Sequence, residues 1–597
     1  MHRRIPVELK LSKAQLAVLK PDVRLVEACP GAGKTRAIVA RYSAGAKSSE
    51  RAFALLSFTN VAVDEALRRC ANIPQATQPP NFIGTFDRFI HRFVVTPMVV
   101  RKNGKPPRYV DTWSDLPSGF DTMVRHGQVN GSGLTLAYFH ADAQGDVHYP
   151  SDPPAADRVY VNQMATAGRS PSELVGLAKK RIEQLLAAGI YDSEQSRLVA
   201  RSILRDPSMK WLHDRLAARF EEVIIDEFQD CSAIEHEILH SLEALGIRVV
   251  VVADPDQAIY EFRQAAPSSY VEYRGKLQGT QIVHLDENWR SSPAICGLVS
   301  SLRSISARPV LSRRDDAESP HADVVYVAVG GPDYARGQFE RLATDLGIPA
   351  DERLVLAATR AAASALSGQF PGMADGKTLS SKIIRHVATL RYSPDATQRR
   401  DAIAAMESIL LGTIKFTGDL KHAPRKEQLE AAGIDQAQLR VMVVQLVEAS
   451  ESWSSEDTAT ASIRLTVGEL LSGVKLDRTS PNQRFKSANT ADWKAWTRAA
   501  KATPISTVLA GAHIHSVKGA ERDAVLLDIE DDAKGTRDHI LELWGSGQTH
   551  EARRVLYVGA SRARRLLVLA VAPKHHAALQ QILTDAEVLV EYLVEDS

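Results

Sequence analysis

Between the apolar run Leu25-Val26 and the helical text Arg36-Ala37-Ile38-Val39-Ala40-Arg41 stands Ala28-Cys29-Pro30-Gly31-Ala32-Gly33-Lys34-Thr35. A strand that turns through glycines into a helix beginning Lys-Thr is a phosphate cradle, because its backbone amides and the helix N-terminus can hold anionic oxygens. Gly31, Ala32 and Gly33 are expected to line that cradle, Lys34 to reach the β and γ phosphates, and Thr35 to ligate Mg²⁺ through its hydroxyl. Ala28 takes the place of the pattern's first glycine. Strand, turn and helix in this order belong to an α/β fold.

The text after the loop keeps that alternation. Ala52–Thr59 reads as a buried strand followed by a helix from Val61, and Asn81–Phe86 as a second strand running into Asp87–Phe93. From about residue 96 to 210 the pattern changes to prolines, glycines, a hairpin near Leu134–His148 and helices over Glu173–Ala188 and Asp192–Leu204, as expected of an inserted subdomain. The sheet resumes at Arg219–Ile225 and ends in Asp226-Glu227. A strand closing in two carboxylates beside a phosphate loop fits Mg²⁺ binding by Asp226 and water activation by Glu227. Arg248–Ala253 is another strand, followed by Asp254-Pro255-Asp256-Gln257 and Tyr260-Glu261-Phe262-Arg263. Gln257 is placed to sense a γ-phosphate or its water, and Tyr260, Phe262 and Arg263 offer aromatic faces and a cation suited to single-stranded nucleic acid. Gln15, ahead of the loop, carries an amide able to read an adenine edge. Phe58 and Phe86 fall at strand ends, where ligands of parallel sheets collect.

A second sheet is expected from about Ile282, through Val324–Val329 and Arg353–Ala358, returning at Ala512–Asp528 and ending with Arg553–Val571. The breaker-rich Phe370–Gly376 opens a helical region to about Lys501, in which Ile403, Met406, Leu410, Leu439, Met442 and Leu446 keep core spacing. At 597 residues the chain exceeds one core, and a net charge of +1 neither requires nor excludes nucleic acid, since only a local basic footprint would decide. Four scattered cysteines (Cys29, Cys70, Cys231, Cys296) form no zinc or iron–sulfur pattern. The N-terminus lacks the apolar core of a signal peptide and no run is long enough to span a bilayer, so a cytoplasmic location with no membrane partner is expected.

Taken together the motifs resemble those of the UvrD/Rep/PcrA-type helicases of superfamily 1, in order along most of the chain. The resemblance implies two RecA-like parallel-sheet cores with two inserted, mainly helical subdomains. The first core takes 1–95 and 206–275, its insertion 96–205, the second core 276–370 and 502–597, and the other insertion 371–501. It implies ATP and Mg²⁺ as cofactors, with Gln15 reading adenine, Arg36 near the base, and Ser57-Phe58-Thr59-Asn60 with Gly84-Thr85-Phe86 touching the strand. Trp289 would stack on adenine, Arg290 would touch the γ-phosphate, Gly519 and Glu521 would meet the ribose, His515 the strand, and Arg562 would act as an arginine finger. ATP would lie with Lys34, Thr35, Asp226 and Glu227 on one wall and Arg290 and Arg562 on the other. Val61, Asp87, Gln264 and His513 depart from the family's lysine, histidine, glycine and threonine.

The implied activity is ATP-driven 3′→5′ movement on single-stranded DNA, with duplex junctions as substrate, in DNA repair or anti-phage defence. A narrower resemblance, to the compact helicase subunit of two-component defence systems such as Gabija, implies a separate nuclease as partner. A DNA-end-stimulated ATPase that regulates such a nuclease without unwinding is the alternative. RNA stays open as the strand.

Overall fold

The computed structural model describes residues 11–596 apart from 117–119, 121, 130–132, 143, 150–154, 260–266, 305–306, 315–319, 369–377, 394–395, 418–419, 421–424, 489, 502–508 and 534–536. The chain divides into two compact units, one of residues 1–296, 302–314 and 549–557 and the other of 297–301, 315–548 and 558–597.

The first unit is organised on β1 (Leu25–Ala28), β2 (Ala52–Ser57), β3 (Phe82–Thr85), β4 (Phe220–Ile225), β5 (Arg248–Ala253) and β6 (Ile282–Leu285). Their spatial order is β6-β1-β5-β4-β2-β3, and every neighbouring pair is parallel. Every residue of β2 is buried, so this strand is covered on both faces and runs apolar from Ala52 to Leu56 rather than alternating, with Ser57 at its end. Helices α1 (Lys34–Ser48), α2 (Asn60–Cys70), α3 (Thr96–Asn103), α4 (Ser193–Arg205), α5 (Lys210–Arg219), α6 (Ala233–Ala244) and α7 (Pro267–Gly275) connect or cover the strands. Thr59 starts α2 by accepting from the Ala62 amide, and Ser232 starts α6 with a reciprocal bond to Glu235.

One expected boundary is corrected. Ile282–Leu285 does not open the second sheet; it pairs along its whole length with β1 and forms an edge of the first. Helix α7, packed through Tyr270 on the first core, serves as the crossover that returns the chain to the β1 edge. In the inserted stretch the structure has antiparallel pairs Met123–Val124 with Leu134–Thr135 and His140–Ala141 with Val147–His148, so the expected hairpin is split in two.

The second unit repeats the architecture with β7 (Val325–Val329), β8 (Arg353–Ala357), β9 (Ala510–His513), β10 (Arg522–Asp528), β11 (Ala563–Val571) and β12 (Val590–Val594). The order is β9-β8-β10-β11-β7-β12, again all parallel. The chain therefore adds an edge strand after Val571, where sequence ended the sheet. Helices α8 (Leu379–Tyr392), α9 (Ala396–Leu411), α10 (Gln436–Ala449) and α11 (Glu456–Leu470) build a separate apolar core. Met406, Leu410, Leu439, Met442 and Leu446 are buried in it, with Ile403 packed at its edge.

A buried ion pair ties the helix that leaves the phosphate loop to the sheet. Arg41 of α1 donates from Nε and Nη2 to the two oxygens of Glu222 on β4, both at 2.7 Å, with side chains 5% and 1% exposed. Arg41 Nη1 also caps the carbonyls of Val18 and Lys20. Removing one partner strands a buried charge, so Glu222→Ala should lower unfolding free energy by about 3–5 kcal/mol. Chemical denaturation checks this, against a double variant Arg41→Met/Glu222→Leu that should lose markedly less; equal losses would show that packing rather than charge pairing matters there.

Candidate active site

The phosphate loop keeps its shape through two left-handed glycines. Gly31 has φ +71° and Gly33 φ +73°, a region that costs other residues about 1–2 kcal/mol. Space forbids a side chain as well. A Cβ on Gly31 would fall 2.6 Å from Asn288 Oδ1, and one on Gly33 2.6 Å from Gln15 Nε2. Those two polar residues are the braces of the loop. Gln15, 3% exposed, donates from Nε2 to the Ala32 carbonyl at 2.9 Å and accepts from the Ser12 amide at 3.1 Å. Each end of its amide keeps capacity for a further bond.

Asn288 accepts at Oδ1 from the amides of Arg290 (2.7 Å) and Ser291 (2.8 Å), and the Trp289 amide donates to the Gly31 carbonyl at 3.0 Å. The Trp289 indole is half exposed. Trp289 and Arg290 therefore stand in the first unit against the phosphate loop, which corrects the expectation that Arg290 shares a wall with Arg562. The reason is β6: once it pairs with β1, the residues that follow it emerge beside the loop that follows β1.

The carboxylates arrive from β4. Asp226 continues the sheet by donating its amide to the Leu56 carbonyl at 2.9 Å, and Glu227 then turns sharply with φ +56°, ψ +41°. A glutamate in the left-handed region is strained, and such strain collects at functional sites. The Asp226 carboxylate holds the turn by accepting from the Glu227 amide at 3.0 Å. Lys34 Nζ lies 3.5 Å from Glu227 Oε1, and Gln229 Nε2 donates to Glu227 Oε2 at 2.5 Å. The other end of Gln229 accepts from the Asp254 amide at 3.0 Å. Gln257 donates to Asp254 Oδ2 at 2.7 Å, and the Tyr557 hydroxyl donates to the same oxygen at 3.0 Å. Burial pushes the Asp254 carboxyl above its ordinary pKa, opposed by the charges of Arg303 and Lys34. Arg303 is in turn anchored on Asp256 at 3.0 Å.

Thr35 and Asp226 line one small cavity together with Ser57, whose buried hydroxyl finds no hydrogen-bond partner among the described residues. A hydroxyl and a carboxylate are hard oxygen donors of the kind Mg²⁺ takes when phosphates and water complete its shell. Thr35 and Asp226 thus suit the ion as donors, while, Ser57 aside, the rest of the cavity wall, Ile38, Leu55, Leu56, Ala62, Val63, Ala66 and Ile83, is apolar. Arg36 Nε, also buried, is without an acceptor among the described residues.

The strand-side candidates divide. Phe58 is half-buried and stacks on Phe86 at 5.8 Å between ring centres. Phe86 is 1% exposed, which corrects its place among the strand contacts: it is a core ring behind Phe58, since the sheet end has one exposed layer and Phe58 takes it. Asn60 is exposed at the start of α2, and Thr85 spends its hydroxyl capping Arg88 at 3.2 Å. Asp87 is held by Arg197 in a two-pronged pair at 2.8 Å. Tyr260, Phe262, Arg263 and Gln264 lie outside the described residues.

In the second unit, His515 stacks on His513 with ring centres 4.7 Å apart. Gly519 turns with φ +89°, and Glu521 shares Arg564 with Asp523 and Glu352. Arg562 is 2% exposed; its guanidinium donates to the carbonyls of Val558 (2.9 Å) and Ala520 (3.2 Å) and to the Ser561 hydroxyl (3.0 Å). Sequence reasoning gave no role to Gln229, Asp254, Asn288 or Tyr557. Asp254 stands inside Asp254-Pro255-Asp256-Gln257 and Gln229 two residues after Glu227; Asn288 could have been found from the polar run that follows an expected strand.

Residues 11–278 match the UvrD/REP helicase N-terminal domain. Over that stretch the chain is similar to the UvrD-like helicases of superfamily 1. It is 24% identical to DNA helicase II of Salmonella typhimurium over 292 residues, 47% of this chain and 38% of that protein. It is 37% identical to ATP-dependent DNA helicase srs2 of Schizosaccharomyces pombe over 84 residues, 14% of this chain and 10% of that one. A stretch of 94 residues is 36% identical to RecBCD enzyme subunit RecB of Borreliella burgdorferi, covering 16% and 8%. The chain thus spans about two-fifths of the length of DNA helicase II. Among the described residues no helix is long and apolar enough to cross a membrane.

Asn288 should matter for nucleotide affinity beyond its own contacts. Asn288→Ala leaves the Arg290 and Ser291 amides without their acceptor, a loss of about 1–3 kcal/mol. ATP affinity, measured by titration of a fluorescent analogue, should fall by roughly tenfold or more, with folding retained. Unchanged affinity would remove Asn288 from the loop's support.

Proposed function

We propose that the chain is an ATP-dependent DNA helicase or translocase that moves 3′→5′ on single-stranded DNA, acting in repair or anti-phage defence. The observation that carries the reading is the hydrogen-bonded run from Lys34 through Glu227 and Gln229 to Asp254 and Gln257, all in one unit beside the phosphate loop. Lys34 and the loop amides bind the phosphates, and Thr35 and Asp226 hold Mg²⁺, which when bound neutralises phosphate charge. Glu227 accepts the proton of the attacking water while Gln229 fixes its carboxylate. Trp289 offers its exposed face to adenine and Gln15 its remaining amide capacity, with Arg36 and Arg290 beside them. Gly519 and Glu521 are proposed to meet the ribose, and Arg562 to act as the finger that stabilises the transferring phosphoryl group. Phe58, Asn60, Tyr260, Phe262, Arg263 and His515 are proposed to grip the strand.

A second reading, a DNA-stimulated ATPase that controls a partner nuclease, is favoured by one observation: Asp87, standing where the family's histidine does, is committed to Arg197. ATP turnover with and without single-stranded DNA, together with unwinding of 3′-tailed, 5′-tailed and blunt duplexes, separates the two. The first reading expects strand-stimulated turnover and unwinding of the 3′-tailed duplex; stimulation without unwinding supports the second. Absence of stimulation contradicts both.

Lys34→Ala should abolish nucleotide binding and turnover, whereas Glu227→Gln should still bind ATP and turn over about 10²–10⁴-fold more slowly. Arg562→Ala should lower turnover by about 10³-fold or more with ATP and DNA affinities within a few-fold, and Arg562→Lys should not rescue it, lacking the planar fork. Normal turnover by Glu227→Gln, or a loss in Arg562→Ala confined to DNA affinity, would reassign the residue concerned.

A further inference from the structure

The strands of the first unit are parallel, so the sheet has a distinct N-terminal end, about 20 Å from the phosphate loop at ~3.3 Å per residue over a six-residue strand. At that end two helices lay arginines over aromatic rings. Arg101 of α3 sits over Trp211 of α5 at 4.5 Å, and Arg219, at the end of α5, lies over Phe93 at 4.9 Å and Phe220 at 5.4 Å. Arg92 covers Phe93 at 5.3 Å. Trp211, Arg215 and Arg219 are four residues apart along α5 and share one face.

None of Arg92, Arg101, Arg215 and Arg219 has a carboxylate partner among the described residues. The acids at the rim are already used, Asp214 by Lys210 at 2.8 Å and Glu221 by Arg51 and Arg248. Arg92, Arg101 and Arg215 are exposed, as are Lys102 and Lys105 next to them. Burial and the neighbouring Arg92 both lower the Arg219 pKa, so the cations raise one another's energy in the absence of an anion.

We propose that this arginine–aromatic ridge, formed by Arg92, Arg101, Arg215 and Arg219, is a second nucleic-acid contact that takes the phosphate backbone of duplex DNA. Arg92 and Arg101 lie exposed over their rings, where a planar guanidinium can bind phosphate oxygens in pairs, while Arg219 spends Nη2 on the Pro80 carbonyl at 2.9 Å with its Nε buried and so adds positive charge rather than a paired contact. An arginine lies over Trp211 and others over Phe93, which reduces the aromatic surface offered to unstacked bases and favours duplex over single strand. An acidic protein segment would meet the same charges, but the spread over two helices suits a regularly charged rod. The inference rests on the proposed function only in choosing DNA as the anion.

The test uses the whole chain and a triple variant Arg92→Ala/Arg101→Ala/Arg215→Ala, with Arg→Lys at the same three positions as the charge-keeping control. Affinity for a labelled blunt duplex and for a labelled single strand is measured across a salt series, beside ATP turnover at saturating single strand. The alanine variant should lose at least tenfold in duplex affinity, with its salt slope reduced by about 2–3, near 0.9 per phosphate contact. Single-strand affinity and strand-stimulated turnover should stay within about twofold of wild type, and the lysine variant should keep most of the slope. An unchanged duplex slope would overturn the ridge as a DNA contact while leaving the ATPase reading intact. Loss of poly-glutamate binding with duplex affinity unchanged would overturn it in favour of an acidic protein partner. A wild type that binds no DNA at all would overturn both.

Discussion

Asp254 is a fully buried carboxylate, and the arrangement beside the phosphate loop depends on how its charge is met. A buried anion without partners is prohibitively costly. Here one of its oxygens collects Gln257 and the Tyr557 hydroxyl, the cations Arg303 and Lys34 supply compensating charge, and its amide is fixed by Gln229. Because Gln229 has two ends, fixing one on Asp254 aims the other at Glu227. The strained backbone of Glu227 is tolerable under that constraint, and its carboxylate then faces Lys34. The remaining Asp254 oxygen has no hydrogen-bond partner among the described residues.

The buried arginines of the chain are met in different ways. In the first unit, Arg303 and Arg41 are locked onto acids and serve the framework. In the second, Arg562 is buried and donates to the main-chain carbonyls of Val558 and Ala520. Exchanging those carbonyls for phosphate oxygens would give charge-assisted bonds in place of neutral ones. Arg564 and Arg565, close by in sequence, are instead tied to Asp523. That difference separates Arg562 from its basic neighbours by structure, where sequence placed all of them in one run.

The phosphate loop, the strand ending in Asp226-Glu227 and the helical stripes of α9 and α10 were legible because their signals are local: glycine conformation, a buried run, a helical period. The edge strand β6 was not, since a parallel partner is never adjacent in sequence and the crossover through α7 reads like an interdomain break. Misplacing β6 also misplaced Arg290. The pairing of Arg41 with Glu222 spans 181 positions and leaves no mark in either neighbourhood. Phe58 and Phe86 looked equivalent as aromatics at strand ends; which one faces outward is decided by packing, and burial puts Phe86 beneath.

The central claim is that Glu227 works as a base because Gln229, seated on Asp254, holds it. Gln229→Met keeps side-chain length and removes both hydrogen bonds. The most direct measurement is single-strand-saturated ATP turnover of this variant beside its ATP affinity. Turnover should fall by about tenfold or more with affinity within about threefold. Wild-type turnover with Gln229→Met would contradict the account, because Glu227 would then need no support from Asp254.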